Sequence, residues 1–476
     1  MAAIEANGIN VIAEHERHGR PSSLFWPWFA ANVSVFGVSY GAFILGFGVS
    51  FFQATVAAVL GITFSFLLCG IIALGGKRAS APTMVVSRAA FGVDGGRLPS
   101  AVSWVLTVGW ETVLVALATL ATATVLERLG VGGGTATSVI ALLVVAALVI
   151  TAGILGFDVI MRLQKVVTVV TGVLTVVYVA LVAGTIDLAA VAATPSGEPQ
   201  AFVGALVLAG TGFGLGWVNA AGDYSRYLPR SASSRGVVGW TTVGGALAPV
   251  VLVVFGLLLA ASSPDLATAI GADPIGALTA AVPTWFLVPF ALVAVLSLVG
   301  GAVLDIYSSG LALLSAGLPA PRWVAAAVDG AIMVAGTVYV VFLAREDFIF
   351  TFQGFLITLG VPVAAWAGIA IADLALRRRD YVDADLFDPR GRYGSVQGPA
   401  VALLVLGTLV GWGLVTSATL GLTWQGYLLG PLGLGGREGP WAFAGLGVLA
   451  ALVLGFVGQL VLGRRAVRAQ EALARR

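Results

Sequence analysis

Apolar residues fall along the chain in runs of roughly 20, the length that crosses the hydrocarbon core of a bilayer. Twelve such runs lie at 26–51, 54–74, 99–126, 136–155, 163–186, 201–221, 236–262, 284–316, 321–343, 348–375, 399–419 and 441–463. Short polar connections separate most of them. The pattern predicts an all-α integral membrane protein with twelve transmembrane helices, numbered here spans 1–12. A polar tail (1–24), a polar loop (376–398) and a second tail (464–476) complete the chain.

Composition agrees: 59% of the residues are hydrophobic and 10% charged, against about 25% charged in soluble domains. The opening "MAAIEANGINVIAEHERHGRPSSL" has no basic start, short apolar core or small-residue cleavage site, so it is not a signal peptide. With the N-terminus in the cytoplasm, 22 of the 25 Lys and Arg residues fall on inside segments and only Arg128, Arg345 and Arg437 outside. This positive-inside bias places both termini in the cytoplasm of a multi-pass cell-membrane protein.

The single cysteine, Cys69, excludes an internal disulfide, and both histidines, His15 and His18, lie in the tail. No imidazole relay can therefore sit inside the membrane. No phosphate-binding glycine loop is present, "GIIALGGKRAS" having the wrong spacing. No metal-ligand cluster and no Ser-His-Asp set can be assembled. The chain reads as neither an enzyme nor a cofactor protein, and a net charge of +2 offers nothing for nucleic acid. Monomer or oligomer stays open.

Glycine interrupts two of the spans. Span 6 carries Gly210, Gly212, Gly214 and Gly216, and span 1 carries Gly37, Gly41, Gly46 and Gly48 beside Asn32, Ser34 and Ser39. Each glycine in a helix interior costs about 1 kcal/mol relative to alanine. In lipid, a broken helix survives only inside protein or beside a cavity. If spans 1–10 (25–375) form two inverted repeats of five, about 26–186 and 201–375, spans 1 and 6 are equivalent. A matched pair of interrupted spans points to a transporter site at the bilayer midplane. The breaks are expected at Phe36–Gly41 and Thr211–Gly216, with Phe36, Gly37, Phe213 and Gly216 at the substrate. The alternative is that the glycines only let helices pack closely.

Spans 3 and 8 are then expected to line the same site. Ser103, Thr107 and Trp110 share one face of span 3, with Glu111 next to them; Ser297, Gly301, Asp305 and Ser308 form a small or polar stripe on span 8. An ionisable residue deep in a span is a functional candidate, although Asp305 could instead bond a neighbouring helix and Glu111 could be paired elsewhere. Asp329 and Asp373 read as structural, and Trp26, Trp28 and Trp441 as interface anchors. Trp110 and Trp217 sit on site helices, where two rings suit a flat, π-rich ligand.

"GWVNAAGDYSRYLPR" resembles the span 6 signature of the cytosine–purine permeases, members of the nucleobase:cation symporter family that also includes hydantoin and allantoin carriers; Trp217, Asp223, Tyr224, Arg226, Tyr227, Leu228 and Pro229 carry the match. "WFAANVSVFGVSYG", "APTMVVSRAAFGVDGGRLPS", "VGWETV", "LDIYSSGLALL" and "IADLALRRRDYVDADLF" resemble other parts of the family. The resemblance implies a LeuT-type five-plus-five inverted repeat plus two further helices (399–463). It implies a symporter in which Trp110 and Trp217 sandwich a nucleobase and Asp305 binds its edge. Leu114 stands where the family often has Asn or Gln. Gly300 and Gly301 stand where sodium-coupled relatives have two hydroxyls that hold the ion.

A hard cation needs oxygen ligands, so proton coupling through Asp305, with Glu111 in reserve, is favoured over sodium. A low-dielectric setting disfavours the charged form of a carboxyl, which suits a proton carrier. Asp223 and Arg226 are expected to pair and close an inner gate; Arg226 could also be a plain topology charge. Readings kept open are a sodium-coupled carrier of a hydantoin, allantoin or pyridine-type solute, and a channel or ligand-binding receptor.

Overall fold

The computed structural model describes residues 5–344, 348–419 and 421–473, and helices are the only regular elements among them. Arg345, one of the three outside charges, lies outside the described residues. Span 1 is a bent pair, α1 (Phe25–Asn32) and α2 (Phe36–Leu45), with 67° between its arms. Span 2 is α3 (Phe51–Ala79), and α4 (Thr83–Phe91) leads to span 3, α5 (Arg97–Arg128). Spans 4 and 5 are α6 (Gly134–Leu155) and α7 (Phe157–Val182), followed by the short α8 (Leu188–Ala192). Span 6 is interrupted into α9 (Pro199–Thr211), α10 (Gly214–Trp217) and α11 (Ala221–Ser225). Span 7 is α12 (Ser234–Ser262), and α13 (Pro264–Ala272) leads to span 8, α14 (Leu287–Ala316). Spans 9 to 12 are α15 (Arg322–Val338), α16 (Phe348–Leu376), α17 (Gly398–Gly413) and α18 (Leu446–Ala472).

Every predicted run therefore meets a helix, a bent pair or an interrupted helix. Among the described residues, ten helices are long and apolar enough to cross a membrane, the bent pair would make eleven, and α17 is shorter. Large apolar side chains face outward, as lipid requires: Val166, Val169, Val173 and Val176 on α7, and Val453, Val457 and Val461 on α18, are all exposed. They recur at helical spacing.

The helices sort into two groups by contact. Spans 1, 2, 6 and 7 pack on one another, and so do spans 3, 4, 8 and 9, with α5 against α14 the most extensive pair. Each group takes two helices from each half of the core, paired as n and n+5. Span 5 bridges the groups through α1 and α14, and α16, α17 and α18 pack together. Hydrogen bonds of the terminal segments (His18 to Tyr227, and Arg378 and Arg379 to Glu471) place both ends on one side of the bundle, called here the terminal face.

The break in span 1 falls at Val33–Val35, three residues before its predicted place; Phe36–Gly41 are helical. The glycines of that stretch serve packing instead. A Cβ on Gly41 would overlap the Gly256 backbone of α12, and one on Gly256 would overlap the Val38 carbonyl. At Gly41 the close-packing reading holds, whereas the interruption of span 6 falls at Gly212 and Phe213. Forced overpacking costs about 1–3 kcal/mol, so Gly41→Ala is expected to lower the unfolding temperature of the detergent-purified protein by several degrees. Gly172→Ala, with no described atom within 4 Å of the new methyl, is expected to leave it unchanged or raise it.

Candidate functional site

A break in a buried helix leaves backbone donors and acceptors that something must satisfy. In span 1 the chain does this locally. Val33 N–H donates to the Phe29 carbonyl (2.8 Å), Gly37 N–H to the Ser34 carbonyl (2.9 Å), and Asn32 Nδ2 to the Trp28 carbonyl (2.8 Å). In span 6 the neighbours do it. Phe213 leaves helical geometry at φ −122°, ψ −107°. Gly214 N–H then donates to Ser65 Oγ (3.1 Å), and the Gly214 carbonyl accepts from Cys69 Sγ (2.9 Å). Ser65 and Cys69 are one turn apart on α3, so one helix face holds both the N–H and the carbonyl of Gly214. The Tyr40 hydroxyl donates to the Gly212 carbonyl (3.3 Å).

The two breaks face each other across a cavity of about 50 Å³ at the junction of the two helix groups. Asn32, Ser34, Phe36, Gly37 and Tyr40 line it from span 1, and Gly212, Phe213 and Trp217 from span 6. Trp110, Leu114 and Ser297 close it from spans 3 and 8. Ser297 Oγ donates to Ser34 Oγ (3.0 Å). The glycines of span 6 make the seats for its rings: a Cβ on Gly212 would overlap the Tyr40 ring, and one on Gly216 would lie 2.9 Å from Trp110 Nε1. The volume is well below the roughly 300–1,000 Å³ of a preformed small-molecule pocket, so the site is contracted.

Aromatic rings seal it on both sides. Away from the terminal face, Tyr40 packs on Phe213 (4.5 Å between centroids) and Phe352 (6.0 Å), and Phe36 on Phe352 (5.8 Å). Beyond them opens a vestibule of about 550 Å³ lined by Phe43, Phe47, Gln353 and Phe443. The vestibule is the larger space, yet neither site tryptophan borders it, so we place the site at the smaller cavity. Toward the terminal face, Trp28 packs edge-on against Trp217 (5.8 Å) and Tyr224 (5.4 Å). The Tyr224 hydroxyl reaches the Leu304 carbonyl (2.8 Å) and Ser308 Oγ (3.0 Å). Below lies a cavity of about 250 Å³ bordered by His18, Trp26, Phe157, Lys165 and Tyr227.

Trp110, Trp217, Phe36, Gly37 and Phe213 thus line one cavity, with Gly216 behind the Trp110 ring. Asp305 and Glu111 do not line it. Asp305 is eight residues beyond Ser297, about 12 Å along the helix, and lies buried toward the terminal face. Glu111, next to Trp110 on α5, is also fully buried, with the Ser309 hydroxyl beside it, and neither Asp305 carboxylate oxygen has a hydrogen-bond partner among the described residues. Asp329 is held by Trp104 Nε1 (2.7 Å) and Ser309 Oγ (2.9 Å), and Asp373 by Arg377 (2.6 Å), both structural.

Two further expectations change. Asp223 and Arg226 form no ion pair: Asp223 accepts from Thr83 N–H (2.8 Å) and Thr83 Oγ1 (2.9 Å), taking up a free N–H at the start of α4. Arg226 turns instead to Glu5 (3.3 Å), the Gly8 carbonyl (2.6 Å) and the Tyr307 hydroxyl (2.7 Å). Trp28 is no interface anchor but fully buried. Tyr40, Tyr224 and Glu5 were missed. Their partners lie 80 residues or more away in sequence, beyond the reach of local pattern.

A family model described as "Permease for cytosine/purines, uracil, thiamine, allantoin" matches residues 11–430. The purine-cytosine permease homologue YxlA of Bacillus subtilis (strain 168) is 23% identical over 427 residues, covering 86% of this chain and 87% of that one. Among solved structures, Mhp1, a nucleobase-cation-symport-1 family transporter in a closed conformation with bromovinylhydantoin bound, aligns with a TM-score of 0.70 at 19% identity, covering 99% of this chain and 100% of that one. A Na+-coupled sialic acid symporter aligns at 0.60 and 12% identity, covering 93% and 90%. The fold is that of these transporters. By sequence signature, by the family model and by this shared architecture, the chain belongs to the nucleobase:cation symporter family of cytosine–purine permeases.

Proposed function

We propose that the chain imports a nucleobase or similar flat heterocycle together with a proton, by alternating access around the central cavity. Family membership makes it a secondary transporter and not an enzyme. The observation that carries the finer reading is the meeting of two tryptophans with two broken helices in one small cavity, sealed on both sides by rings. A flat ligand gains dispersion from Trp110 and Trp217, and Asn32, Ser34 and Ser297 offer polar contacts for its edge. Rocking one helix group on the other would open the rings on one side at a time. The charge bias puts the terminal face in the cytoplasm, and an inward proton gradient would then drive import.

Proton coupling is supported by what surrounds span 8. Gly300 and Gly301 supply no hydroxyl, and the Gly300 carbonyl already accepts from Gln164 Nε2 (2.6 Å). The nearby hydroxyls of Ser34 and Ser297 bond each other. The Asp305 carboxyl oxygens are engaged by no described donor, so a proton can bind and leave there without breaking a native hydrogen bond. One charge moving through 100 mV is worth about 2.3 kcal/mol, roughly 50-fold accumulation.

Loss of one stacking face costs about 1–3 kcal/mol, so Trp110→Ala and Trp217→Ala are each expected to weaken ligand binding by about 5- to 150-fold. Trp→Phe should retain part of it, and membrane insertion should be intact. A thermal-shift screen against bases and related heterocycles finds the ligand, because one that binds only the folded state raises the melting temperature. Binding at wild-type strength in both alanine variants would remove the stacking site.

Uptake into proteoliposomes is expected to be independent of sodium, stimulated by an inward pH gradient and collapsed by a protonophore. Asp305→Asn should keep ligand binding, because Asp305 does not line the cavity, and lose gradient-driven accumulation; if Glu111 carries the proton, Glu111→Gln shows that behaviour instead. Uptake that requires sodium and survives the protonophore at clamped potential would overturn the proton assignment.

A further inference from the structure

We propose that the N-terminal segment is a detachable latch whose Glu5 carboxylate plugs an anion receptor on the terminal face and holds that side of the transporter shut. The receptor is built by elements far apart in sequence. Glu5 Oε1 accepts from the Tyr227 hydroxyl (2.6 Å), the Tyr307 hydroxyl (3.2 Å) and Arg226 Nη2 (3.3 Å). Glu5 Oε2 accepts from the Phe157 N–H (2.8 Å) at the start of α7 and lies 3.4 Å from Arg322 Nε. Both guanidinium side chains are buried, at 0% and 1% exposure. Two buried cations without an anion would be costly, and the carboxylate that answers them arrives on a tail.

The place of this knot gives it a function. Arg226 and Tyr227 follow the end of span 6, Phe157 begins span 5, Tyr307 is on span 8, and Arg322 begins span 9. One side chain therefore ties helices of both packing groups to the bridging span. The segment also walls the cavity below Trp28: His18, Gly19, Ser23 and Leu24 border it. Further bonds seat it, from Ile12 N–H to the Ser80 carbonyl (2.8 Å) and from His18 N–H to the Tyr227 carbonyl (2.7 Å). A path from the central cavity to the terminal face passes Trp28 and Tyr224 and then this segment. Opening that path separates span 6 from span 5, which the five-way contact of Glu5 prevents.

This inference rests on the alternating-access reading, and its test is chosen to be independent of substrate and ion. In a Cys69→Ser background, Ala31→Cys places a thiol on the central cavity. A membrane-impermeant maleimide added from the terminal face reports whether that side opens. In the full-length chain, Glu5→Gln is expected to raise the labelling rate about tenfold, and Tyr227→Phe, which keeps the ring and removes the 2.6 Å bond, by a smaller factor. A chain lacking residues 2–10 should label as fast as Glu5→Gln. The free peptide MAAIEANGIN should slow it again, whereas the same peptide with Gln at its fifth position should not. Labelling of Glu5→Gln and of the shortened chain at the parent rate, or equal action of the two peptides, would overturn the latch. A failure of transport with the labelling differences intact would count against the symport reading alone.

Discussion

The fold depends on how two broken helices keep their backbone polar groups satisfied where no bulk water reaches. Ser65 and Cys69 on α3 hold Gly214 from both sides, so the interruption in span 6 is a fixed feature of the packing with span 2. Span 1 instead closes its break with its own residues, Asn32 and Ser34. From this difference follows an asymmetry between the two site helices. The span 6 backbone is bound to a neighbour of its own packing group. The span 1 break is a self-contained joint with a 67° bend. A joint whose backbone groups are satisfied locally can change its angle at the cost of two side-chain bonds, Ser297 to Ser34 and Tyr40 to Gly212, which suits span 1 to carry motion and span 6 to stay seated on span 2.

Most of the architecture was legible in the pattern of apolar runs, because in a membrane the solvent itself imposes length and composition on each element. The interrupted spans were legible as glycine density, but the glycines do different work that density alone cannot separate. Gly41 makes room for another helix, Gly212 and Gly216 make room for rings, and nothing lies near Gly210 except the Gly61 carbonyl at 3.7 Å. The span 1 break was misplaced because its signal was Asn32 and Ser34, residues that bond the backbone locally, and not the glycines after them. Trp110 and Trp217 were found because each sits on a helix already marked by other features. Glu5 could not be found: one acid in a polar tail has no pattern, and only the fold reveals the two arginines it answers.

The two closures differ in kind. The outer one is made of rings whose separation exposes apolar surface and breaks few polar contacts; the Tyr40 hydroxyl bond to Gly212 is long at 3.3 Å. The inner one has rings at Trp28 and Tyr224 and, below them, charges buried with their partners. Breaking a buried ion pair without replacing it is strongly unfavourable, by roughly 3–5 kcal/mol, whereas ring pairs contribute about 0.5–1.5 kcal/mol each beyond their burial. With nothing bound, the outer side is therefore the cheaper one to open. With the terminal face in the cytoplasm, as we propose, that order suits an importer, which meets its substrate first from the outside.

The acids that we assign to the coupling ion stand apart from the cavity, and their position indicates how coupling would work. Glu111 adjoins Trp110 on α5, and Asp305 lies on α14, the helix that packs most extensively against α5. Leu114 meets Gly301 across the same interface: a Cβ on Gly301 would lie 2.9 Å from its Cδ1. Spans 3 and 8 thus form one close-packed pair that carries both a ring of the site and the two buried acids. A proton on either acid need not touch the substrate. It changes the charge buried within that pair, and hence the cost of exposing the pair to water on one side or the other. Substrate acts on the same pair from the cavity side, through Trp110. Two ligands that bias one rigid body are coupled by linkage, which is why separation of the acids from the cavity is compatible with symport.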